Sequence, residues 1–424
     1  MKDLLANDFD IDGSGLTITS VQGATANINN LTLNSNGTIT FGTDNNTSTS
    51  DSFTYTLSDG AGGTATGTVT VSVDPTSDSN IDTFTIPNTV VASYYDGRGN
   101  NDTITGGSGN DFLVGSANND SLNGGAGNDI LQGGTGNDTL DGSTGTDLIS
   151  FSDATSGVTF TLSQGTNGGG YFSTGALAGG LGTDQYRNIE GVIGSGSADT
   201  LTGSTGNDII RGGGGNDVIN GQGGVDLLDF SDGTTALNFT LVQSSSATST
   251  GNLGNLGTDS YSNMEGVIGT NLNDTITGSS GNDILMGNGG NDVLNGGAGN
   301  DTLVGGFGSD SLTGGTGNDT FAFNVPGEGL DHIIDFNLGE NDVISISAAG
   351  FGGGLVAGGD ASTGGLFGSS AGSAFGSTSE RFHYNTTTHT LFYDSNGSAA
   401  GGTIVELAVL ENGSSLDGAH IKIV

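Results

Sequence analysis

The segment Gly124-Gly125-Ala126-Gly127-Asn128-Asp129-Ile130-Leu131-Gln132 runs directly into Gly133-Gly134-Thr135-Gly136-Asn137-Asp138-Thr139-Leu140-Asp141. The two nonapeptides superimpose position by position as G-G-x-G-x-D-x-U-x, with U apolar. The same step extends outward through Asp102, Asp111, Asp120, Asp129, Asp138 and Asp147. After one break it resumes at Asp199, Asp208, Asp217 and Asp226. After a second break it resumes at Asp274, Asp283, Asp292, Asp301, Asp310 and Asp319. Two residues beyond every one of these aspartates stands a large apolar side chain, from Ile104 to Phe321.

A repeat this short dictates a local structure. The three residues centred on U suffice for a minimal strand whose middle side chain points inward and whose neighbours point outward. The Gly-rich remainder turns the corner, because glycine reaches positive φ without steric penalty. Two nonapeptides then close a coil of eighteen residues, so each Asp stacks on the one eighteen positions along. The predicted fold class is all-β: a parallel β-roll or β-helix solenoid, with a small β-sandwich before it and a β-rich cap after it.

Stacked aspartates pose an electrostatic problem. Two carboxylates about 5 Å apart repel by roughly 3 kcal/mol at an effective dielectric near 20. A hard divalent cation reverses the sign, and Ca²⁺ takes six to eight oxygens, including the carbonyls that a Gly-rich turn exposes. Mg²⁺ suits the site less because it demands a small octahedron. The pairs expected to share ions are Asp102/Asp120, Asp111/Asp129, Asp120/Asp138, Asp129/Asp147, Asp199/Asp217, Asp208/Asp226, Asp274/Asp292, Asp283/Asp301, Asp292/Asp310 and Asp301/Asp319. Asn-Asp after Gly is also ordinary turn chemistry. Turn chemistry alone, however, does not require Asp at one register sixteen times.

This tandem pattern resembles the RTX, or haemolysin-type, calcium-binding repeat family, and with its interruptions it covers a little over half the chain. The resemblance implies a β-roll with several calcium ions held between successive turns by the sixteen aspartates and by turn carbonyls. Several turns depart from the glycine pattern, for instance Gly115-Ser116-Ala117-Asn118-Asn119-Asp120 and Gly269-Thr270-Asn271-Leu272-Asn273-Asp274. These are expected to bind weakly or not at all.

Composition agrees. The 424 residues include 83 glycines and no cysteine, with 46 acidic against six basic side chains and a net charge of −40. Such a surface repels nucleic acid and anionic lipid and attracts cations. One buried side chain per nine residues does not offset the ordering of the other eight, so the repeats are expected to be disordered without metal. Disulfides are excluded. Neither a cleavable leader nor an apolar run of membrane-spanning length is visible.

Four segments follow from the pattern. Residues 1–75 alternate apolar and polar residues in short runs, as a small antiparallel β-sandwich does. The stretches Leu5-Ala6-Asn7-Asp8-Phe9-Asp10-Ile11-Asp12-Gly13 and Asp51-Ser52-Phe53-Thr54-Tyr55-Thr56-Leu57-Ser58-Asp59-Gly60 resemble a bacterial cadherin-like domain. A first strand is missing ahead of it, so the chain is expected to be a piece of a longer one or to begin with a truncated domain. Asn7, Asp8, Asp10, Asp12 and Asp59 are candidates for one more calcium, or solvated turn acids. Residues 76–95 read as a linker, and 96–322 as the roll. The insertions at 148–198 and 227–273 match each other and are expected to be longer coils of one solenoid. Their middles, Gly165 to Gly180 and Ser244 to Asn255, are expected to project as loops, read either as plain surface or as a site for a carbohydrate or a partner.

Residues 323–424 read as a β cap, with Asp331, Asp335 and Asp342 as candidates for a final calcium and Gly350 to Ser379 as a flexible excursion. The tail resembles the C-terminal segment of RTX proteins exported by type I secretion machinery. The chain is expected not to be an enzyme. Its four histidines form no H-E-x-x-H, and Gly368-Ser369-Ser370-Ala371-Gly372 matches G-x-S-x-G without an α/β context. The reading is a secreted or cell-surface calcium-binding protein, structural or adhesive, with cell-surface glycans or proteins as possible partners. The alternative is the non-catalytic module of a larger secreted enzyme.

Overall fold

The computed structural model describes residues 17–22, 28–33, 39–43, 51–58, 64–73, 83–85, 94–163, 181–242, 247–248, 257–352, 354–372, 375–376, 379–396 and 404–424. Among them the chain is almost wholly β, with one short helix, Ala348–Phe351, and one 3₁₀ turn, Gly418–His420. No described helix is long and apolar enough to cross a membrane.

The eighteen-residue coil is present as expected. Leu122 pairs in parallel with Ile104 on one side and Leu140 on the other, and Leu131 pairs likewise with Leu113 and Ile149. Alternate nonapeptides therefore build two facing walls. Their sixteen inward side chains form a single file, none more than 1 % exposed. Each apolar residue packs on the ones above and below it and on the opposite wall, which removes it from water.

The walls differ at the interruptions. One is continuous from Tyr94–Asp96 through Leu148–Ser150, Gly191–Ile193, Leu227–Asp229 and Gly266–Ile268 to Val343–Ile346 and Ile421–Ile423. The other is in three pieces. Its first stack ends at Gln185–Arg187, which pairs with Thr139–Asp141. A second stack has meanwhile begun at Thr159–Thr161, which pairs with Thr200–Thr202. The same happens where Ser260–Ser262 ends the second stack and Asn238–Thr240 opens the third. The insertions are thus splices in one wall, not simply longer coils. Each is closed by an aromatic pair that joins the last rung of one stack to the first of the next. Tyr186 packs on Phe160 with ring centroids 5.1 Å apart and donates its hydroxyl to the Thr161 carbonyl at 2.7 Å. Tyr261 packs on Phe239 at 5.3 Å and donates to Thr240 at 2.8 Å.

Both ends of the roll are covered. Before it, Thr17–Gln22, Asp51–Ser58 and Thr64–Val73 are antiparallel neighbours, as are Ile28–Leu33 and Ile39–Thr43. Thr64–Val73 then pairs in parallel with Tyr94–Asp96 and so joins the continuous wall. Thr83–Thr85, inside the expected linker, opens the other wall against Thr103–Thr105. At the far end, Ile404–Leu410 covers Asp331–Ile333, and Ile421–Ile423 covers Val343–Ile346. A hairpin forms between Phe382–Asn385 and Thr390–Asp394. The expected flexible excursion departs from its reading. Gly359–Asp360 pairs with the final strand and Phe367–Ser370 with Phe382–Asn385, because small residues let these segments lie flat on a sheet edge. The loop middles, all but Ala247–Thr248, lie outside the described residues, as do Asn7, Asp8, Asp10, Asp12 and Asp59.

Coil spacing fixes where glycine is obligatory. Gly299 has φ +123°, and a Cβ there would lie 2.1 Å from the Gly281 carbonyl oxygen of the preceding coil, whereas nothing lies within 4 Å of a Cβ on Gly223. Gly299→Ala is expected to lower stability by at least about 1 kcal/mol. Gly223→Ala should stay within about 0.5 kcal/mol. Denaturant midpoints measured in calcium check the contrast, and equal midpoints would refute it.

Candidate metal centre

Each strand that carries a U follows a turn whose last residue is the aspartate, and all sixteen aspartates are between 0 and 3 % exposed. Stacking them brings ten pairs together, all ten anticipated from the eighteen-residue spacing. In each the backbone N–H of one Asp donates to Oδ1 of the Asp a coil later. The distances run from 2.7 Å for Asp102 to Asp120 up to 2.9 Å for Asp301 to Asp319. A hydrogen bond to an ionised carboxylate is about twice as strong as one between neutral groups, so this column ties coil to coil.

A second, outer column runs in the opposite sense through the residue before each Asp. Asn128 N–H donates to Asn110 Oδ1 at 2.8 Å, and Asn300 N–H to Asn282 Oδ1 at 2.7 Å. This is a physical reason for the recurring Asn-Asp.

The remaining carboxylate oxygens carry the chemistry. Oδ2 of Asp120, Asp129, Asp138, Asp147, Asp217, Asp226, Asp292, Asp301, Asp310 and Asp319 is buried and has no hydrogen-bond partner. Each lies over the glycine five residues before it, and at Asp120, Asp147, Asp226, Asp292 and Asp301 a carbonyl of the next coil lies in the same space. A Cβ on Gly115 would be 2.4 Å from Asp120 Oδ2 and 2.7 Å from the Gly133 oxygen. On Gly296 it would be 2.3 Å from Asp301 Oδ2 and 2.6 Å from the Gly314 oxygen. A buried polar atom without a partner costs about 1–3 kcal/mol, and more when charged, so ten in register call for a cation.

Among the described residues no three acidic or histidine side chains converge. An ion there would complete its shell with backbone carbonyls or water. That all-oxygen donor set, flexible and without nitrogen or sulfur, fits Ca²⁺.

Burial pushes these carboxyls up, opposed by the N–H bond from the preceding coil and reinforced by neighbouring carboxylates. Asp120 is raised to about 7, with Asp138 and Asp102 adding to burial. Asp217 and Asp226 reach about 7, Asp292 about 8 and Asp301 about 6.

Six ladder members were missed by counting in nines. Asp184 and Asp259 accept from the N–H of Asp138 and Asp217, both at 2.9 Å. Glu190 and Glu265 accept from Asp147 and Asp226 at 2.9 and 3.0 Å. Asp331 and Asp342 accept from Asp310 and Asp319 at 3.1 and 2.9 Å. Each lies two residues before a buried rung, Tyr186, Tyr261, Val192, Val267, Ile333 or Ile344, so acid-x-apolar was the signal that crosses the breaks. Asp335, grouped with Asp331 and Asp342 in the sequence, instead accepts from the N–H groups of Gly314 and Gly315, both at 2.9 Å.

The G-x-S-x-G stretch acquires partners: Ser370 Oγ is 3.1 Å from His383 Nε2, and His383 Nδ1 is 2.5 Å from Glu380 Oε1. Nε2 also lies 2.9 Å from the Gly372 carbonyl oxygen, which only accepts. These contacts tie the Ser370–Gly372 turn to the strand Phe382–Asn385.

A solenoid with buried, register-matched carboxylate oxygens and glycine carbonyls defines a parallel β-roll of the cation-binding kind. Comparison with known proteins makes this specific. The family model of the RTX calcium-binding nonapeptide repeat (four copies) matches residues 96–131, 124–153, 193–228, 268–303 and 295–324, and that of the bacterial Ig domain matches residues 1–72. The chain thus carries RTX calcium-binding repeats behind an N-terminal bacterial Ig domain, the segment read above as cadherin-like. Both matched modules are non-catalytic. A search of curated proteins gave no match. Among solved structures, an extracellular lipase, LipA from Serratia marcescens, aligns at 16 % identity with a TM-score of 0.19, over 77 % of this chain and 40 % of the lipase. The chain spans well under half of that protein's length.

A carboxyl raised on folding binds more protons folded than unfolded between its ordinary value near 3.8 and its raised value of about 6 to about 8. Metal-free stability therefore falls as pH rises through that window. In EDTA, the β signal in circular dichroism should grow between about pH 8 and about pH 5. Calcium affinity should weaken over the same interval, because protons compete for the same oxygens. A metal-free signal that falls on acidification would contradict the assignment.

Proposed function

We propose that this chain is a secreted or cell-surface protein whose roll folds when it meets extracellular calcium. The ions are held by the ladder aspartates with glycine carbonyls of adjacent coils. The observation that carries this reading is the set of ten buried, unpartnered Oδ2 atoms in one register. Before export, at low calcium, the acidic chain stays extended and threadable, and its C-terminal region serves a type I secretion apparatus.

Extracellular calcium modules bind with dissociation constants of about 10⁻⁴–10⁻³ M. At ten times that constant each site adds about 1.4 kcal/mol. Some ten such sites sum to the order of a whole domain's stability. The Ig domain, whose last strand continues into the roll, favours a structural or adhesive role, with the roll as a calcium-stiffened spacer or binding surface.

Circular dichroism tests the folding claim. Little β signal is expected in chelator and a cooperative gain on adding calcium. An unchanged spectrum would count decisively against it. Binding of the calcium-loaded chain to bacterial cells or glycans, lost in EDTA, tests the adhesive part.

A further inference from the structure

Besides Asp111, whose Oδ2 accepts from the Gly107 N–H at 2.8 Å, four aspartates on the ladder register differ from those with an unpartnered Oδ2: Asp199, Asp208, Asp274 and Asp283. Their carboxylates are satisfied within their own turns by a hydroxyl four residues earlier. Ser204 donates its N–H to Asp208 Oδ2 at 2.5 Å, and its Oγ is 3.0 Å from both carboxylate oxygens while accepting from Gly206 N–H at 3.0 Å. Ser279 does the same for Asp283, with Oγ at 3.1 and 2.8 Å and Gly281 N–H at 3.1 Å. Thr270 does so for Asp274, with Oγ1 at 2.9 and 3.1 Å and Leu272 N–H at 3.1 Å. Ser195 reaches Asp199 Oδ1 at 2.8 Å and accepts from Ser197 N–H at 3.1 Å.

The hydroxyl alone does not produce this arrangement. Ser116 and Ser143 occupy the same place before Asp120 and Asp147, but their φ values are 77° and 73°. Their hydroxyls turn away, to Asp96 Oδ1 at 2.8 Å and Asn123 Oδ1 at 3.3 Å. Gly213, Gln222, Asn288 and Gly306 are also left-handed at this place, and Asp217, Asp226, Asp292 and Asp310 after them keep an unpartnered Oδ2. The four sealing residues keep φ outside the left-handed region, which aims the hydroxyl into the turn. All four sealed turns belong to the first coils after the two splices.

We infer that these four turns hold no calcium. A hydroxyl hydrogen bond takes the place of the ion, so the first coil after each splice closes without metal and offers a finished edge on which calcium-loaded coils stack. This rests on the calcium reading above and narrows the sixteen candidate aspartates to twelve. It includes the Thr270 turn already singled out by its missing glycines, and it separates that turn from the Ser116 turn, which is open.

The experiment is calcium stoichiometry by native mass spectrometry on the full chain, wild type beside Asp208→Asn, Asp283→Asn, Asp226→Asn and Asp301→Asn. Asp208→Asn and Asp283→Asn are expected to keep the wild-type number of ions, while Asp226→Asn and Asp301→Asn each lose one. An ion lost from either sealed-turn variant overturns the inference and leaves calcium binding intact. A wild type without calcium overturns both. Should a variant not fold, anomalous scattering from calcium-loaded wild-type crystals decides: ions beside Asp226 and Asp301 with none at the four sealed turns support it, and an ion in a sealed turn overturns it.

Discussion

In the ten open turns the ladder carboxylate does two things at once, and the rest of the structure depends on that division. Oδ1 takes the backbone N–H of the coil before and sets the vertical register, as between Asp120 and Asp102. Oδ2 is carried by the same geometry into a buried space with no protein donor. The first bond favours a charged carboxylate, while burial and like-charged neighbours disfavour it. Neither oxygen can be moved alone, so burial of the second oxygen raises the proton and cation affinity of the whole column.

The glycines follow from that column. Coils stacked this closely leave carbonyl oxygens within about van der Waals contact of the next turn's Cα, so a side chain there would displace the groups an ion needs. The same closeness explains why one apolar residue per nonapeptide suffices for a core. Every rung is sandwiched between two identical rungs and faces the opposite wall. The fold therefore grows by repetition, and its stability is sensitive to whatever holds neighbouring coils together.

The splices show how such a solenoid accommodates irregular insertions. One wall passes through them unbroken, while the other stops and restarts with an aromatic pair across the joint. Carboxylates continue the ladder there, with Glu190 and Glu265 in the place of Asp: their longer reach meets the same N–H where the chain leaves the nonapeptide spacing. Directly after each joint, hydroxyls occupy the carboxylates that elsewhere remain open. The acidic column thus carries two kinds of turn, one whose second carboxylate oxygen has no protein partner and one closed by a hydroxyl hydrogen bond.

Sequence periodicity by itself determined the β-roll, its eighteen-residue coil, the single file of apolar rungs and the ten stacked aspartate pairs. Each of these is a local rule repeated, and repetition makes a local rule global. Periodicity did not determine how the chain crosses its two interruptions, nor that Asp184, Glu190, Asp259, Glu265, Asp331 and Asp342 extend the ladder. Those depend on which distant strands become neighbours once the spacing of nine is lost. Only the tertiary structure separated open turns from sealed ones. Ser143 and Ser204 stand at the same place in the repeat, and the direction of each hydroxyl is fixed by backbone dihedrals that the coil beneath imposes.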